Sequence, residues 1–143
     1  MQRRDFLKGA CKICLLGAVV TTVTADLSSC SPKVAGNTFK PVVNNNELQV
    51  PLSLFENQPF KVISPANYEY EIAVEKKSDN SFKALLLKCT HYDNQLTTTG
   101  NGYTCSQHGS KFDKEGTVLK GPAENPLKQL KTQIIKDSLL IHL

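Results

Sequence analysis

The chain has no tryptophan, one methionine and only three histidines in 143 residues. Scarce histidine makes each position informative, and two of the three lie close to a cysteine. Glycine (8) and proline (7) are too few for a fibrous or low-complexity chain. A net charge of +4 is too small to argue for nucleic acid, and none is expected as a partner. Five cysteines, an odd number, argue against a simple disulfide framework. Crossing a bilayer takes about 20 apolar residues, and the run from Ile13 to Val23 falls well short. What remains is a chain of single-domain length, large enough to bury a real core.

Three cysteines, Cys11, Cys14 and Cys30, fall in the first thirty residues, which read as an address rather than as fold. Arg3-Arg4 followed by Asp5-Phe6-Leu7-Lys8 resembles the twin-arginine (Tat) export signal of bacteria. The short apolar run that follows resembles the hydrophobic region of a signal peptide. Leu27-Ser28-Ser29-Cys30 resembles a lipobox, in which Cys30 receives the lipid and becomes the first residue of the mature chain. An uncleaved signal anchor and an amphipathic N-terminal helix are the alternatives. Cys11 and Cys14 form a C-x-x-C inside the signal, without βαβ context, and carry no function. Removing residues 1–29 takes away four basic residues (Arg3, Arg4, Lys8, Lys12) and two acidic ones (Asp5, Asp26), leaving 13 against 11. Such a surface exerts no strong steering field. Residues 30–46 are polar and turn-forming and read as a tether. The expected segments are thus 1–29, a signal peptide; 30–46, a tether; and 47–143, the folded domain.

From Glu47 the pattern has period two or short apolar runs, the mark of strands. Leu48-Gln49-Val50 and Leu52-Ser53-Leu54 alternate across Pro51, where an edge or bend is expected. Phe60–Ile63 reads as a short strand. Tyr68, Tyr70, Ile72 and Val74 share one face of the next, with Glu69, Glu71 and Ala73 on the other. Lys76–Asn80 reads as a hairpin turn, after which Phe82–Leu87 returns and delivers Cys89. Gly100-Asn101-Gly102 is a second turn, and Lys136-Asp137-Ser138 closes a terminal hairpin. No long helical period appears, so an all-β domain is predicted.

The chemistry concentrates in Cys89-Thr90-His91 and Cys105-Ser106-Gln107-His108. Two thiolates and two imidazoles are transition-metal ligands by type. Each half-motif puts one of each in a short loop, and two such loops at neighbouring hairpin tips can close around a metal centre. Taken alone, the set also fits a structural zinc site. His142, with no cysteine or other histidine near it in sequence, reads as an ordinary strand residue.

The flanking residues decide between these. His108-Gly109-Ser110-Lys111-Phe112-Asp113, then Gly121-Pro122-Ala123, and upstream Ala84, three leucines, Lys88 and Cys89-Thr90-His91, closely resemble the Rieske iron–sulfur protein family. The resemblance spans about Glu47 to Leu143. It implies a Rieske-type antiparallel β-sandwich with a small cluster-binding subdomain of two hairpin loops, and one [2Fe–2S] cluster per chain. It implies that Cys89 and Cys105 bind one iron, and that His91 and His108 bind the other near the surface. Two imidazoles replacing two thiolates remove negative charge, which raises the reduction potential. By the same resemblance, Gly109 lets the backbone approach the sulfurs, and Ser110 donates its hydroxyl to one. Pro122, with its neighbours, forms a third shielding loop, and Tyr92 stands where a bulky residue usually covers the cluster, a plain surface tyrosine being the alternative. Two departures stand out. Quinol-oxidising members often carry an extra cysteine in each loop, where this chain has Asn94 and Gln107. They often carry Tyr where it has Phe112.

The expected function is therefore membrane-tethered, single-electron transfer with unnamed redox protein partners and no catalysis by the chain alone. The expected location is the bacterial cell envelope, lipid-anchored and facing the periplasm or outside. A small Rieske subunit of an exported oxidoreductase, arsenite-oxidase-like or quinol-oxidising, is the alternative, and a structural zinc module a lesser one. At this length no room is expected for the mononuclear iron domain of a Rieske oxygenase.

Overall fold

The computed structural model describes residues 39–143. It is built almost wholly of antiparallel strands, as the alternation predicts. Seven strands form one sheet in the order β1-β2-β11-β10-β5-β4-β3. They are β1 (Val43–Asn44), β2 (Glu47–Pro51), β3 (Phe60–Ile63), β4 (Ile72–Lys76), β5 (Phe82–Leu86), β10 (Gln129–Ile135) and β11 (Ser138–His142). Four short strands form a second sheet, β6 (Thr97–Thr99), β7 (Gly102–Thr104), β8 (Lys111–Asp113) and β9 (Val118–Lys120). This second sheet is inserted between β5 and β10.

Register explains the first core. On β2, Leu48 and Val50 are fully buried while Gln49 is exposed. On β11 the matching residues Ile141 and Leu139 lie directly opposite them, so each cross-strand pair joins two inward side chains. Ile72, Val74, Ala84, Leu86 and Tyr70, from the other half of the sheet, pack into the same cluster. The seven strands must therefore curl over on themselves, because flat strands this far apart in the order would not meet.

The β4–β5 hairpin is apolar on both faces. Ile72, Val74, Ala84 and Leu86 face the first core. Ala73, Leu85 and Leu87 face a second one, with Cys89, Leu96, Tyr103, Cys105, Phe112, Ala123 and Leu127. A strand covered on both faces reads as a continuous apolar run, and Ala84-Leu85-Leu86-Leu87 is that run. The hairpin is thus a wall shared between the base of the molecule and its second sheet.

Three elements differ from the sequence reading. Leu52–Phe55 is not a strand but a 3-10 turn. Pro51 offers no N–H to the ladder, and the Leu52 N–H makes a further cross-strand bond to the Asp137 carbonyl at 2.9 Å before the chain turns. Phe55 then folds in edge-on against Phe82, ring centres 5.0 Å apart. The alternation from Tyr68 is regular, but the strand begins only at Ile72. Finally, β1 extends the sheet upstream of Glu47, where a tether is expected. Asn45 and Asn46 hold φ of 50° and 65° in the turn that joins β1 to β2, the conformation a tight two-residue hairpin asks for.

Candidate metal centre

Two loops rise from the shared hairpin and the second sheet. The first leaves β5 and is closed at its base by paired backbone bonds. Cys89 N–H donates to the Asn94 carbonyl at 2.8 Å, and Leu96 N–H to the Leu87 carbonyl at 2.9 Å. The second joins β7 to β8. Cys105 N–H donates to the Ser110 carbonyl, and Gly109 N–H returns a bond to the Cys105 carbonyl, each at 2.9 Å. Gly109 sits at φ +78°, while a Cβ there would meet nothing within 4 Å in the protein. Glycine is needed for its dihedral angle rather than for room.

The four candidate ligands divide by depth. Cys89 and Cys105 are buried at 0% and 1% exposure, at the floor of the second core. His91 and His108 are exposed at the tip, with ring centres 5.0 Å apart and planes at 79°. Burial pushes the Cys89 thiol up. The His91 and Tyr92 backbone N–H groups, with the Cys105 and Ser110 side chains, outweigh that and hold it below its ordinary value. Several donors aimed at one buried sulfur favour thiolate over thiol. Among the described residues no three His, Cys, Asp or Glu side chains converge on a single ion position. A buried cysteine pair thus lies beneath an exposed histidine pair, a set of transition-metal donors by type.

A third loop, Gly121–Lys128, covers the flank and holds both cluster loops. Thr90 Oγ1 donates to the Asn125 carbonyl at 2.6 Å. Ala123 N–H donates to Ser110 Oγ at 3.1 Å. Ser110 is fully buried, and accepting that bond leaves its own hydroxyl proton free for a sulfur. Pro122, joined to Gly121 by a cis peptide, is exposed on the outside of this loop.

The Rieske [2Fe–2S] domain model matches residues 43–131. The chain belongs to that family. Over 69 residues it is 32% identical to the cytochrome b6-f complex iron-sulfur subunit 1 of Synechocystis sp., covering 46% of this chain and 39% of that protein. Over 77 residues it is 34% identical to the cytochrome b6-f complex iron-sulfur subunit of Chlorobaculum thiosulfatiphilum, covering 52% and 41%. The match thus spans about two fifths of the length of these curated relatives. The crystal structure of the plasma membrane Rieske protein PetC3 from Synechocystis shares the fold. The TM-score is 0.51 at 22% identity, over 65% of this chain and 95% of that one. Naphthalene 1,2-dioxygenase contains the same fold in part, with a TM-score of 0.52 at 19% identity, over 71% of this chain and 26% of that one.

Membership of the family brings with it a Rieske-type [2Fe–2S] cluster, and the residues present fit one. The thiols are buried and served by N–H and O–H donors, and the imidazoles are exposed and paired. Phe112 is buried in the second core and brings no hydroxyl to the site. No disulfide involves Cys89 or Cys105. Tyr92 is 65% exposed and stands edge-on to His91, centres 4.9 Å apart, with His108 at 5.6 Å. It flanks both histidines rather than roofing the sulfurs. His142 lies away from the site and pairs with Glu47 at 3.2 Å. Arg3, Arg4 and Cys30 lie outside the described residues, and among the described residues no helix is long and apolar enough to cross a membrane.

Sequence reasoning missed how the first loop is held. Tyr70 Oη donates to the Asp93 carbonyl at 2.7 Å, across 23 residues. Glu71 N–H donates to Gln95 Oε1 at 3.0 Å. Lys88 pairs with Asp93 at 2.9 Å, its ammonium 5.2 Å from the Tyr70 ring centre. Alternation places Tyr70 inward, but no local pattern says which loop its hydroxyl meets.

Proposed function

We propose that this chain is a membrane-tethered carrier of single electrons, with Cys89 and Cys105 holding one iron and His91 and His108 the other. The observation that carries it is the exposed histidine pair above a buried cysteine pair in a Rieske domain. When bound, the cluster supplies one reversible one-electron centre. The chain's residues do the rest. Cys89 and Cys105 keep the sulfur side dry, which protects the site from hydrolysis and from premature oxidation. His91 and His108 present their outer ring edges to solvent, so a docking partner reaches the electron there. Ser110 donates toward the sulfurs and Ala123 fixes its rotamer.

The matched relatives are named as subunits of cytochrome b6-f complexes. Here Asn94, Gln107 and Phe112 stand where quinol-oxidising members often have two cysteines and a tyrosine. They favour a potential in the lower part of the Rieske span, which runs from about −150 to about +300 mV. Export by the Tat route and anchoring through a lipid on Cys30 place the domain on the outer face of the cytoplasmic membrane or beyond it. A Tat passenger crosses already folded, which suits a protein whose cluster is assembled in the cytoplasm.

The decisive experiment is iron and acid-labile sulfide analysis of the purified protein, with electron paramagnetic resonance of the dithionite-reduced form titrated against potential. Equal iron and sulfide, and a Rieske-type signal, are expected. Stoichiometric zinc without iron, after growth in iron-replete medium, would sink the proposal. For the anchor, Cys30→Ala should release the domain from the membrane fraction or block processing, and Arg3→Lys with Arg4→Lys should trap precursor inside. An unchanged membrane fraction in the Cys30 variant returns the uncleaved signal anchor.

A further inference from the structure

The first cluster loop is exposed at its tip. His91, Tyr92 and Asp93 are all exposed, and the loop carries no disulfide to its neighbour. Yet His91 must stay at a fixed distance from His108 for both rings to serve one centre. One tie that fixes it comes from the base of the molecule. Tyr70 belongs to the first hydrophobic core, with 9% exposure, and so is rigidly seated. Its ring meets Tyr68 edge-on at 6.4 Å, and its hydroxyl reaches the Asp93 carbonyl. That carbonyl lies two residues beyond His91, inside the turn closed by Cys89 N–H and the Asn94 carbonyl. Burial, and after it Glu69, push the phenol above its ordinary value, so it remains a donor.

We infer that Tyr70 is a positioning residue for the histidine side of the centre: through the Asp93 carbonyl it sets the orientation of His91 relative to His108. The inference rests on the assignment of His91 as a ligand. Thr90, just before His91, is tied on its own side by its hydroxyl to the Asn125 carbonyl at 2.6 Å; two further ties on the Asp93 side are weaker candidates than Tyr70. The Lys88–Asp93 pair is solvent-screened, with Asp93 72% exposed, and such pairs contribute little. Gln95 bridges to Glu71 at the base of the loop, beyond the turn that carries His91.

The test uses the full-length, cluster-loaded protein in four forms: unaltered, Tyr70→Phe, Tyr68→Phe and Asp93→Ala. The last keeps the main-chain carbonyl and removes only the ion pair. Two readouts are taken on each: the reduced-state resonance spectrum with its modulation from ligand nitrogens, and the rate of iron loss to a chelator. Tyr70→Phe should retain iron and sulfide, broaden the spectrum and alter the coupling of one of two ligand nitrogens. It should lose iron about fivefold faster, the factor that one ordinary hydrogen bond commands. Tyr68→Phe and Asp93→Ala should match the unaltered protein. A Tyr70→Phe spectrum that superposes on the unaltered one overturns the inference, even if the variant melts earlier. So does an Asp93→Ala effect as large as that of Tyr70→Phe. An unaltered protein whose spectrum shows no ligand nitrogens overturns the ligand assignment and this inference together, whereas two nitrogens unmoved in Tyr70→Phe overturn this inference alone.

Discussion

The base and the cluster-binding sheet are held together by different means. The base has seven hydrogen-bonded strands around Leu48, Val50, Ile72, Val74, Leu139 and Ile141, all fully buried. Its stability comes from apolar area removed from water. The cluster-binding sheet has four strands of three residues, with Thr97, Thr98 and Thr99 exposed along one edge. Its core is shared with the base through Ala73, Leu85 and Leu87, and is completed by two cysteines. Polar ties supply what apolar burial does not. Lys83, buried on β5, donates to the Lys114 carbonyl at 2.8 Å and pairs with Glu115 at 2.8 Å and Glu75 at 3.4 Å. Lys77 pairs with the same two carboxylates at 2.8 and 3.2 Å. Four charges thus clamp the turn between β8 and β9 onto the base hairpin. One half folds by burial. The other is assembled against it by clamps and by the third loop.

The sharpest way to separate the halves is to remove a ligand. Cys105→Ala should abolish the cluster and its visible absorption. Amide protection should collapse in β6 to β9, because metal binding and local folding are coupled there. Protection in β2, β4, β5 and β11 should persist. Loss of protection throughout would show that the base depends on the centre as well.

Leu139→Ala is the converse. Its side chain is fully buried among the base residues, and such truncations cost about 2–5 kcal/mol. Urea unfolding should show that loss, while the resonance spectrum of the still-folded protein stays unchanged. A changed spectrum would mean that the first core reaches the centre mechanically.

Lys83→Met tests the clamp. It leaves Glu75 and Glu115 with Lys77 alone. Both carboxylates are partly solvent-screened, so we expect a loss of about 1–2 kcal/mol rather than the larger cost of a fully buried pair. The pH dependence has a definite sign. Lys77 holds the Glu75 carboxyl below its ordinary 4.5, and Lys83 does the same for Glu115. Groups depressed on folding stabilise above their unfolded value, and that contribution is lost as pH falls below 4.5 through the folded value. Melting temperature should therefore fall more steeply below that pH in the unaltered protein than in Lys83→Met. Parallel curves would show that the clamp contributes nothing.

The smallest effect sharpens the comparison at the sulfurs. Ser110→Ala removes a hydroxyl donor from the buried pair and leaves the Ala123 N–H without its acceptor. A donor stabilises the more negative, reduced state, so its removal should lower the midpoint potential. If the bond differs by ~1.4 kcal/mol between the two states, the one-electron potential moves by about 59 mV. Phe112→Tyr should move it the other way by a similar amount, provided the new hydroxyl reaches a sulfur. Equilibrium redox titration decides both.

Local pattern determined much of this protein. Period-two alternation determined that the chain forms strands, and which of Leu48, Val50, Ile72 and Val74 face inward, because a strand's side chains alternate whatever it pairs with. Turn chemistry placed the Lys76–Asn80 and Lys136–Ser138 hairpins. The paired Cys and His spacing, with its flanking residues, marked the family, whose domain model matches residues 43–131. What the sequence could not decide depends on contacts between distant segments. The 3-10 turn at Leu52–Phe55 turns Phe55 in, edge-on against Phe82 of a distant strand, a contact no local pattern shows. The run of three leucines reads the same whether one face is buried or two, and only the curl of the base against the second sheet separates Leu86 from Leu85 and Leu87 into different cores. The split of two cysteines and two histidines into a buried pair and an exposed pair follows likewise from where β5, β7 and the third loop meet. Sequence spacing sets which residues can approach one another, and only tertiary packing sets how deep each one lies.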